Sequence, residues 1–337
     1  MQLGDCIGSE QPVDGRGASS ARNVLVQKTI LKQILHEERQ MKHLMLVLAA
    51  FSLIGSSLAC CVMPEIPDIE INVPTIEVGE LESTREEIPL SGAESATVEV
   101  RFAAGELEVD AGDPEQLFSG HFRYNVEQWK PKVSYEDNLL TIEQGEIDED
   151  WGVPTGNTRN EWELEFSPDI PLEINLKVGA GDGRLNFTGL QLTELDLEMG
   201  AGDFDVRFDE PNQVEMSNLS LDTGAAKLDV RGIGNASPEQ VRVNGGVGEI
   251  TLDFTGRWSG SANVDVTAGV GAVTLRLPDD IGVQVETEGG LTNVEADEFR
   301  RQDDTYTNNI FGEAEVELHI RVTTGVGNLR LVEVSND

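Results

Sequence analysis

Residues 177–185 read KVGAGDGRL, and twenty-one residues later the chain reads EMGAGDFDV. With the residue after the small dipeptide as anchor, related positions fall at Gly105, Gly181, Gly202, Ala226, Gly248, Gly271, Gly290 and Gly327. From Gly181 to Gly290 the spacings are 21, 24, 22, 23 and 19. Apolar or small residues alternate on both sides of each anchor. Before Gly202 they are Leu195, Leu197 and Met199; after it, Phe204, Val206 and Phe208. Val264, Val266 and Ala268 precede Gly271, and Val273, Leu275 and Leu277 follow it. Gly105 has Val98, Val100 and Phe102 before it, and Gly327 has Leu329 and Leu331 after it. Alternation of period two makes strands with one buried face. Recurrence at about 22 residues makes each strand–bend–strand unit one turn of a solenoid, because a single unit cannot bury its own apolar face. No segment of helical period interrupts the series. The expectation is an all-β, single-stranded β-helix-like solenoid of about eight strand–Gly turn–strand repeats. Stacked in one column, these would stand about 35 Å tall.

The same glycines invite a ligand-loop interpretation. A phosphate loop sets glycine between a strand and a helix, so that the helix N-terminus faces the anion. Here a second alternating strand follows, and the glycine is a corner. Calcium-binding β-rolls need an acid at one place in every nine-residue turn. The residues after the anchors are Glu106, Asp182, Asp203, Lys227, Glu249, Ala272, Leu291 and Asn328. A lysine has no place in such a ladder, and only incidental calcium at Asp182 and Asp203 stays open. No cofactor and no metal are expected.

Charge narrows the partners. Of the 62 acids and 24 bases, 57 acids and 18 bases fall in residues 61–337, a net of −39 for that part. Such a surface repels nucleic acid and anionic lipid head groups, which bind through Lys and Arg that replace counterions. Nucleic acid is therefore excluded as a partner. The three cysteines, Cys6, Cys60 and Cys61, all lie outside the repeats, so no disulfide staples the fold.

From Met41 the text is MKHLMLVLAAFSLIGSSLACC: one lysine, an apolar run, then small residues and cysteine. That is the order of a secretory signal. Ending on Ala59-Cys60-Cys61, it looks like a lipoprotein signal, with Cys60 or Cys61 as the lipid attachment site. An uncleaved anchor is the alternative, since residues 44–63 carry no charge over a length that can cross a bilayer; plain secretion is the third. All three place the acidic body outside the cytoplasm. Residues 1–40 are expected to be a leader outside the fold, with translation starting at Met41. Residues 61–91, with Pro64, Pro67, Pro74 and many acids, read as a solvated tether. Residues 92–170 form an N-terminal β region, and 171–335 the solenoid repeats.

Within residues 88–144 the text VEVRFAAGELEVDAGDPEQLFSGHFRYNVEQWKPKVSYEDNLLTIEQ resembles the N-terminal part of the bacterial toast-rack domain family. Its most specific piece is FAAGELEVDAGDPEQLFSGHFRYN, residues 102–125. The GAGD repeats that follow are similar to the solenoid this family shares with adhesin-like proteins and with the C-terminal domain of cell-wall-active antibiotic response proteins. The resemblance covers residues 88–334. It implies a stacked β-helix-like sheet, an envelope location and no established catalytic residues.

Two stretches break the period. FRRQDDTYTNN, residues 299–309, holds Arg300, Arg301, Asp303, Asp304 and Tyr306, a rare basic and aromatic spot beside paired acids. Insertions in a solenoid project from one face, so this is the first candidate for a ligand-binding loop. EIDEDWGVPTGNTRNEW, residues 146–162, holds Trp151 and Trp162, which can stack on a sugar or cover a sheet end. Paired carboxylates also cleave glycosidic bonds. Asp279-Asp280 and Asp303-Asp304 are the pairs available, and 62 acids make chance adjacency the expected cause. His121 and His319 have no Cys or His at metal-ligand spacing, and no Ser-His-Asp or Cys-His arrangement is legible. The sequence thus predicts a non-enzymatic, membrane-tethered envelope module for binding or scaffolding, with an envelope protein or a cell-wall glycan as partner. The alternative is a polysaccharide-active enzyme working through acids of the 300–309 loop.

Overall fold

The computed structural model describes residues 78–145 and 157–336. Cys60, Cys61, the leader, the signal and Trp151 lie outside the described residues. The chain order is β1 (Glu82–Pro89), β2 (Ala96–Ala111), β3 (Gln116–Tyr124), β4 (Lys132–Glu136), β5 (Leu139–Glu143), β6 (Asn160–Phe166), β7 (Pro171–Asn186), β8 (Gln191–Arg207) and β9 (Met216–Arg231). There follow a one-turn helix α1 (Ile233–Ala236), β10 (Pro238–Asp253), β11 (Ala262–Pro278), β12 (Gly282–Glu295), β13 (Arg300–Gln302), β14 (Thr305–Thr307) and β15 (Glu317–Val334).

Eight of these strands are long and bent, and each is one expected coil. They stack in parallel in the order β2-β7-β8-β9-β10-β11-β15-β12. Gly105, Gly181, Gly202, Ala226, Gly248, Gly271 and Gly327 sit in one register column. The bend does more than turn the chain. Met199 and Phe204, five residues apart across it, are both buried, although in a flat strand an odd separation puts side chains on opposite faces. Gly202, at φ +145°, makes the reversal, and a Cβ there would land on the carbonyl oxygen of Gly181 in the coil beneath. Both arms of every coil therefore face one interior. Leu195, Leu197, Phe204 and Val206 of β8 have no exposed surface there. Full burial of such side chains contributes about 1.5–3 kcal/mol each, and repetition from coil to coil builds the core without a disulfide.

Three expectations are corrected. The eight coils share one column, but the last two are not in chain order: β15 lies between β11 and β12. Gly290 is not an anchor, because Thr292 is the residue of β12 that pairs with Gly327. Gly289 and Gly290 are adjacent, and alternation alone cannot choose between frames in a short coil. Residues 82–89, expected in the tether, form the edge strand β1, antiparallel to β3. Its sequence ESTREEIP lacks apolar alternation because charge on an edge keeps other chains from pairing with it.

The two ends are finished differently. At the first coil, β2 splits its neighbours: Thr97–Arg101 pair with β5 and Glu106–Ala111 with β6. Beyond β6 come β3 and β1, both antiparallel. Trp162 fills this end, its ring 4.9 Å from that of Phe102 and 5.1 Å from that of Phe122. Its indole N–H donates to Asn160 Oδ1 at 2.9 Å. At the last coil, β14 pairs with Gln284–Glu286 of β12, and β13 pairs with β14.

Candidate functional site: a glycine-floored trench

From Gly181 on, each anchor of the column is preceded, two residues earlier, by a second residue without room for a side chain; before Gly105 the place is taken by Ala103. The residues without room are Gly179, Gly200, Gly224, Gly246, Gly269 and Gly325, one above another. At Gly200 a Cβ would strike the carbonyl oxygen of Gly179. Missing side chains along the stack leave a trench of about 980 Å³. Its floor is the glycine column from Gly179 to Gly246, and one wall is the outward column Arg101, Lys177, Glu198, Asp222 and Asn244. The β4–β5 hairpin closes the β2 end with Lys132, Glu143 and Gln144. Five strands at about 4.8 Å spacing make the trench about 20 Å long.

The wall charges are largely matched across neighbouring strands. Lys177 Nζ lies 2.7 Å from Glu198 Oε1, Arg101 pairs with Glu143 and Glu99, and the Asn244 amide donates to Asp222 Oδ1 at 2.6 Å. At the closed end the Gln144 side-chain oxygen accepts from the Ala103 N–H and from the Asn160 amide, which also donates to the Ala104 carbonyl. Two residues before Glu198 on β8, burial pushes the Asp196 carboxyl up, with the charges of Glu198 and Asp222 adding to it. Asp196 Oδ1 is buried without a hydrogen-bond partner. The other arm of the coils carries a charge ladder instead: Arg207 bonds Asp205 at 2.5 Å, and Arg231 reaches both Asp205 and Asp229. The Arg207 hydrogen bond holds the Asp205 carboxyl below its ordinary range.

The residues singled out from sequence fall elsewhere. Arg300, Arg301, Asp303, Asp304 and Tyr306 make up the β13–β14 hairpin, with Asp303 in its turn at φ +54°. The structure brings them together, but only Tyr306 is buried; Arg300, Arg301, Asp303 and Asp304 stay exposed. Tyr306 is 4% exposed, so its ring is packing and not a platform for a ligand. The Arg301 guanidinium lies 5.5 Å from the centre of that ring and donates to the Asp303 carbonyl. Arg300 donates to the Asn309 carbonyl at 2.7 Å. Neither the trench nor a second cleft, about 690 Å³ around Arg257 and Asn336, is lined by the hairpin. Asp280 accepts from the Asn336 amide, and Trp162 is core. Asp182 and Asp203 are register neighbours, with Lys227 3.7 Å from Asp203; among the described residues no acid or histidine group has the arrangement of a metal site.

One arrangement was invisible in the sequence. His121 Nε2 lies 2.9 Å from Ser83 Oγ, and Nδ1 lies 3.1 Å from Glu163 Oε2. The order is that of a serine hydrolase relay. It stands on the open face of β1, β3 and β6, however, and lines neither the trench nor the 690 Å³ cleft. It pins the edge strand to its neighbours. The trench is a second such arrangement, although glycine stands two residues ahead of every anchor from Gly181 to Gly271 and of Gly327.

Among the described residues no helix is long and apolar enough to cross a membrane. No curated protein matches the chain. The crystal structure of a putative cell adhesion protein from Clostridium sporogenes aligns with 23% identity over 76% of this chain and 100% of that one, TM-score 0.43. A putative adhesin from Bacteroides fragilis aligns with 11% identity over 77% and 100%, TM-score 0.36. A putative lipid binding protein from Parabacteroides distasonis aligns with 11% identity over the same shares, TM-score 0.34. The family model described as the N-terminal domain of toast_rack, DUF2154, matches residues 77–231 and again 211–276, more than half of the sequence. The chain belongs to the toast-rack family.

Proposed function

We propose that this chain is a non-enzymatic binding module of the bacterial envelope, held outside the cytoplasm by its N-terminal segment, and that the trench carries a strand of cell-wall glycan. The observation behind this is the repetition of the trench. Each coil offers the same floor and one wall residue at about 4.8 Å intervals, which suits a polymer that repeats along its length better than a compact metabolite. Glycine α-carbons accept the flat face of a sugar ring closely, while Glu198, Asp222 and Asn244 offer hydrogen-bond partners to hydroxyls. The acidic surface argues against polyanionic wall polymers, and the position of Asp303 and Asp304 on an exposed hairpin, outside both clefts, argues against a reaction there.

The test is co-sedimentation of the protein with purified wall sacculi, with and without calcium. Ala201 and Ala225 are exposed beside the glycine floor, so Ala201→Arg and Ala225→Arg overhang the trench without touching the core. Saturable binding by the parent chain and its loss in both variants supports the trench. Binding that survives both variants but falls in Arg301→Ala returns the site to the hairpin, and calcium dependence points to Asp182 and Asp203. Retention of an envelope protein in place of glycan makes the partner a protein. Turnover of a wall polysaccharide that Asp303→Asn abolishes establishes an enzyme instead. Anchoring is checked separately: incorporation of labelled fatty acid, lost when Cys60 and Cys61 are both replaced by Ser, identifies a lipoprotein.

A further inference from the structure

The side-chain amides at the closed end of the trench are oriented by their neighbours. The Trp162 indole N–H can only donate, and it donates to Asn160 Oδ1 at 2.9 Å. The Asn160 amide nitrogen is thereby turned toward the Ala104 carbonyl, 2.7 Å away, and toward Gln144 Oε1, 3.0 Å away. The Ala103 N–H reaches the same Gln144 oxygen at 2.9 Å. With donors on that side, the Gln144 oxygen must face them, and its Nε2 is turned the other way. The main chain is held here too, since the Gln144 N–H donates to the Arg101 carbonyl at 2.9 Å.

Gln144 is 7% exposed, and its Nε2 is buried without a hydrogen-bond partner. Among the described residues Arg123 Nε and Asp196 Oδ1 share that condition, but of the three residues Gln144 is the one that lines the trench. A buried amide donor is costly to leave unpaired. It is a standing demand for an acceptor oxygen at the end that the β4–β5 hairpin closes.

The surroundings decide which kind of oxygen. Arg101 pairs with Glu99 and Glu143, Lys177 pairs with Glu198, and Lys132 is the register neighbour of Glu143. Three bases set against three acids leave no net positive charge to offset the desolvation of a carboxylate. A neutral carbonyl meets the amide without that cost. The floor changes at the same place. Ala103 stands where Gly179, Gly200, Gly224 and Gly246 stand in the following coils, so the trench floor carries a methyl group only beside Gln144.

We propose that the closed end is an acetamido subsite, in which the Gln144 amide donates to the carbonyl oxygen of an N-acetylated sugar and the Ala103 methyl packs against the acetyl methyl. This rests on the trench being the glycan site, and it narrows the ligand to N-acetylated strands. Because Nε2 is buried, the carbonyl enters as the exposed side chains of Arg101 and Lys132, which border this end, give way. A glucose unit of the same linkage fits the floor but brings neither carbonyl nor methyl.

The test is calorimetric titration of the full-length chain with tetraacetyl-chitotetraose and with cellotetraose, the N-acetylglucosamine and glucose tetramers of the same linkage. Both are neutral, so the acidic surface treats them alike. The parent chain is expected to bind the acetylated tetramer about tenfold more tightly, equivalent to about 1.4 kcal/mol. Gln144→Glu keeps the oxygen that Ala103 and Asn160 use and removes the donor. It should weaken the acetylated sugar to near parity and leave the glucose tetramer unchanged. Ala103→Gly should cost the acetylated sugar about threefold, the order of one buried methyl, again without effect on glucose. Equal affinity of the parent for the two tetramers overturns the subsite and leaves the trench a glycan site. Loss of both sugars in a Gln144→Glu chain that melts with the parent makes the amide a brace for the corner and overturns it as well. Should that variant fail to fold, Ala103→Gly decides: no selective loss there overturns the proposal. Binding of neither tetramer by the parent overturns the subsite and the glycan reading together.

Discussion

The two ends of the stack solve one problem by different means. A parallel solenoid leaves an apolar layer and an unpaired sheet edge at each end, and both need cover. The first coil is covered by bulk: Trp162, Phe118, Phe122, Tyr124 and Phe166 stand on antiparallel strands and close the layer over Phe102. The last coil is covered by connectivity. A two-strand hairpin lies along part of β12, and the turn that starts β12 is held by Asn308, 1% exposed, which donates to the Ile281 carbonyl at 2.7 Å and accepts from the Val283 N–H at 3.0 Å. One end rests on a broad aromatic layer, the other on the smaller pair Phe299 and Tyr306 and a buried amide. Aromatic packing survives local fraying better than a clamp of two hydrogen bonds, so the C-terminal end is expected to open first.

That contrast can be broken by substitution. Trp162→Ala removes two ring contacts and the bond to Asn160, and is expected to cost about 3–5 kcal/mol in urea unfolding. A cost below that of any C-terminal substitution would reverse the ranking of the two ends. Asn308→Ala leaves a buried N–H and a buried carbonyl unpaired and is expected to cost about 1–3 kcal/mol. Hydrogen exchange on the same variant sharpens the point: protection should fall in β12 and β14 and stay intact in β3 and β6.

A third test uses pH at the N-terminal end alone. Burial, with the hydrogen bond to Glu82 and the charges of Glu82 and Glu127, pushes the Tyr124 hydroxyl from its ordinary 10.0 to about 12. The folded state binds this proton more tightly than the unfolded state. The stability it contributes is full below pH 10 and is lost as pH rises from there through about 12. Unfolding scans across that window should show a decline that Tyr124→Phe removes, and an unchanged slope in the variant would locate the titration elsewhere. The smallest effect is expected midway between the ends. Asp196 is raised mainly by burial, so its folded form favours the neutral acid. Its favourable contribution is present at low pH and is lost as pH rises through its raised folded value. Asp196→Asn should therefore raise the melting temperature slightly at pH 7 and leave it unchanged in strong acid.

How far the sequence carried the fold depended on what repeats. The coils were legible because period two and a glycine corner recur wherever a strand must bury one face and reverse it. The corner glycine is not interchangeable along the column: Ala226 takes the position without a positive φ, whereas Gly202 stands at +145° with the Gly181 carbonyl where its Cβ would be. The position of β15 was not legible. Every coil carries the same alternation, so the pattern fits β12 beside β11 as well as it fits β15 there. The trench was not legible because the charged and aromatic residues that mark a site stand in the irregular hairpin, while the cleft is made by absent side chains inside the regular part. Tyr306 misled for a related reason: a tyrosine in an acidic loop reads as exposed, but pairing of β14 with both β12 and β13 covers its ring. Ser83, His121 and Glu163 converge only because β1 folds back along β3, and nothing local in ESTREEIP announces that pairing.

The reversal at each corner, with buried Met199 and Phe204 an odd number of residues apart, bears on how such a chain can change length. Losing one residue from an arm turns the rest of that arm inside out, so small indels are tolerated only in the return loops. Duplication of a whole coil of about 22 residues keeps the phase of both arms and lengthens the stack by one strand spacing, about 4.8 Å. Descent can thus adjust the distance between the two caps in discrete steps, and the coil number becomes a molecular ruler written in multiples of one repeat.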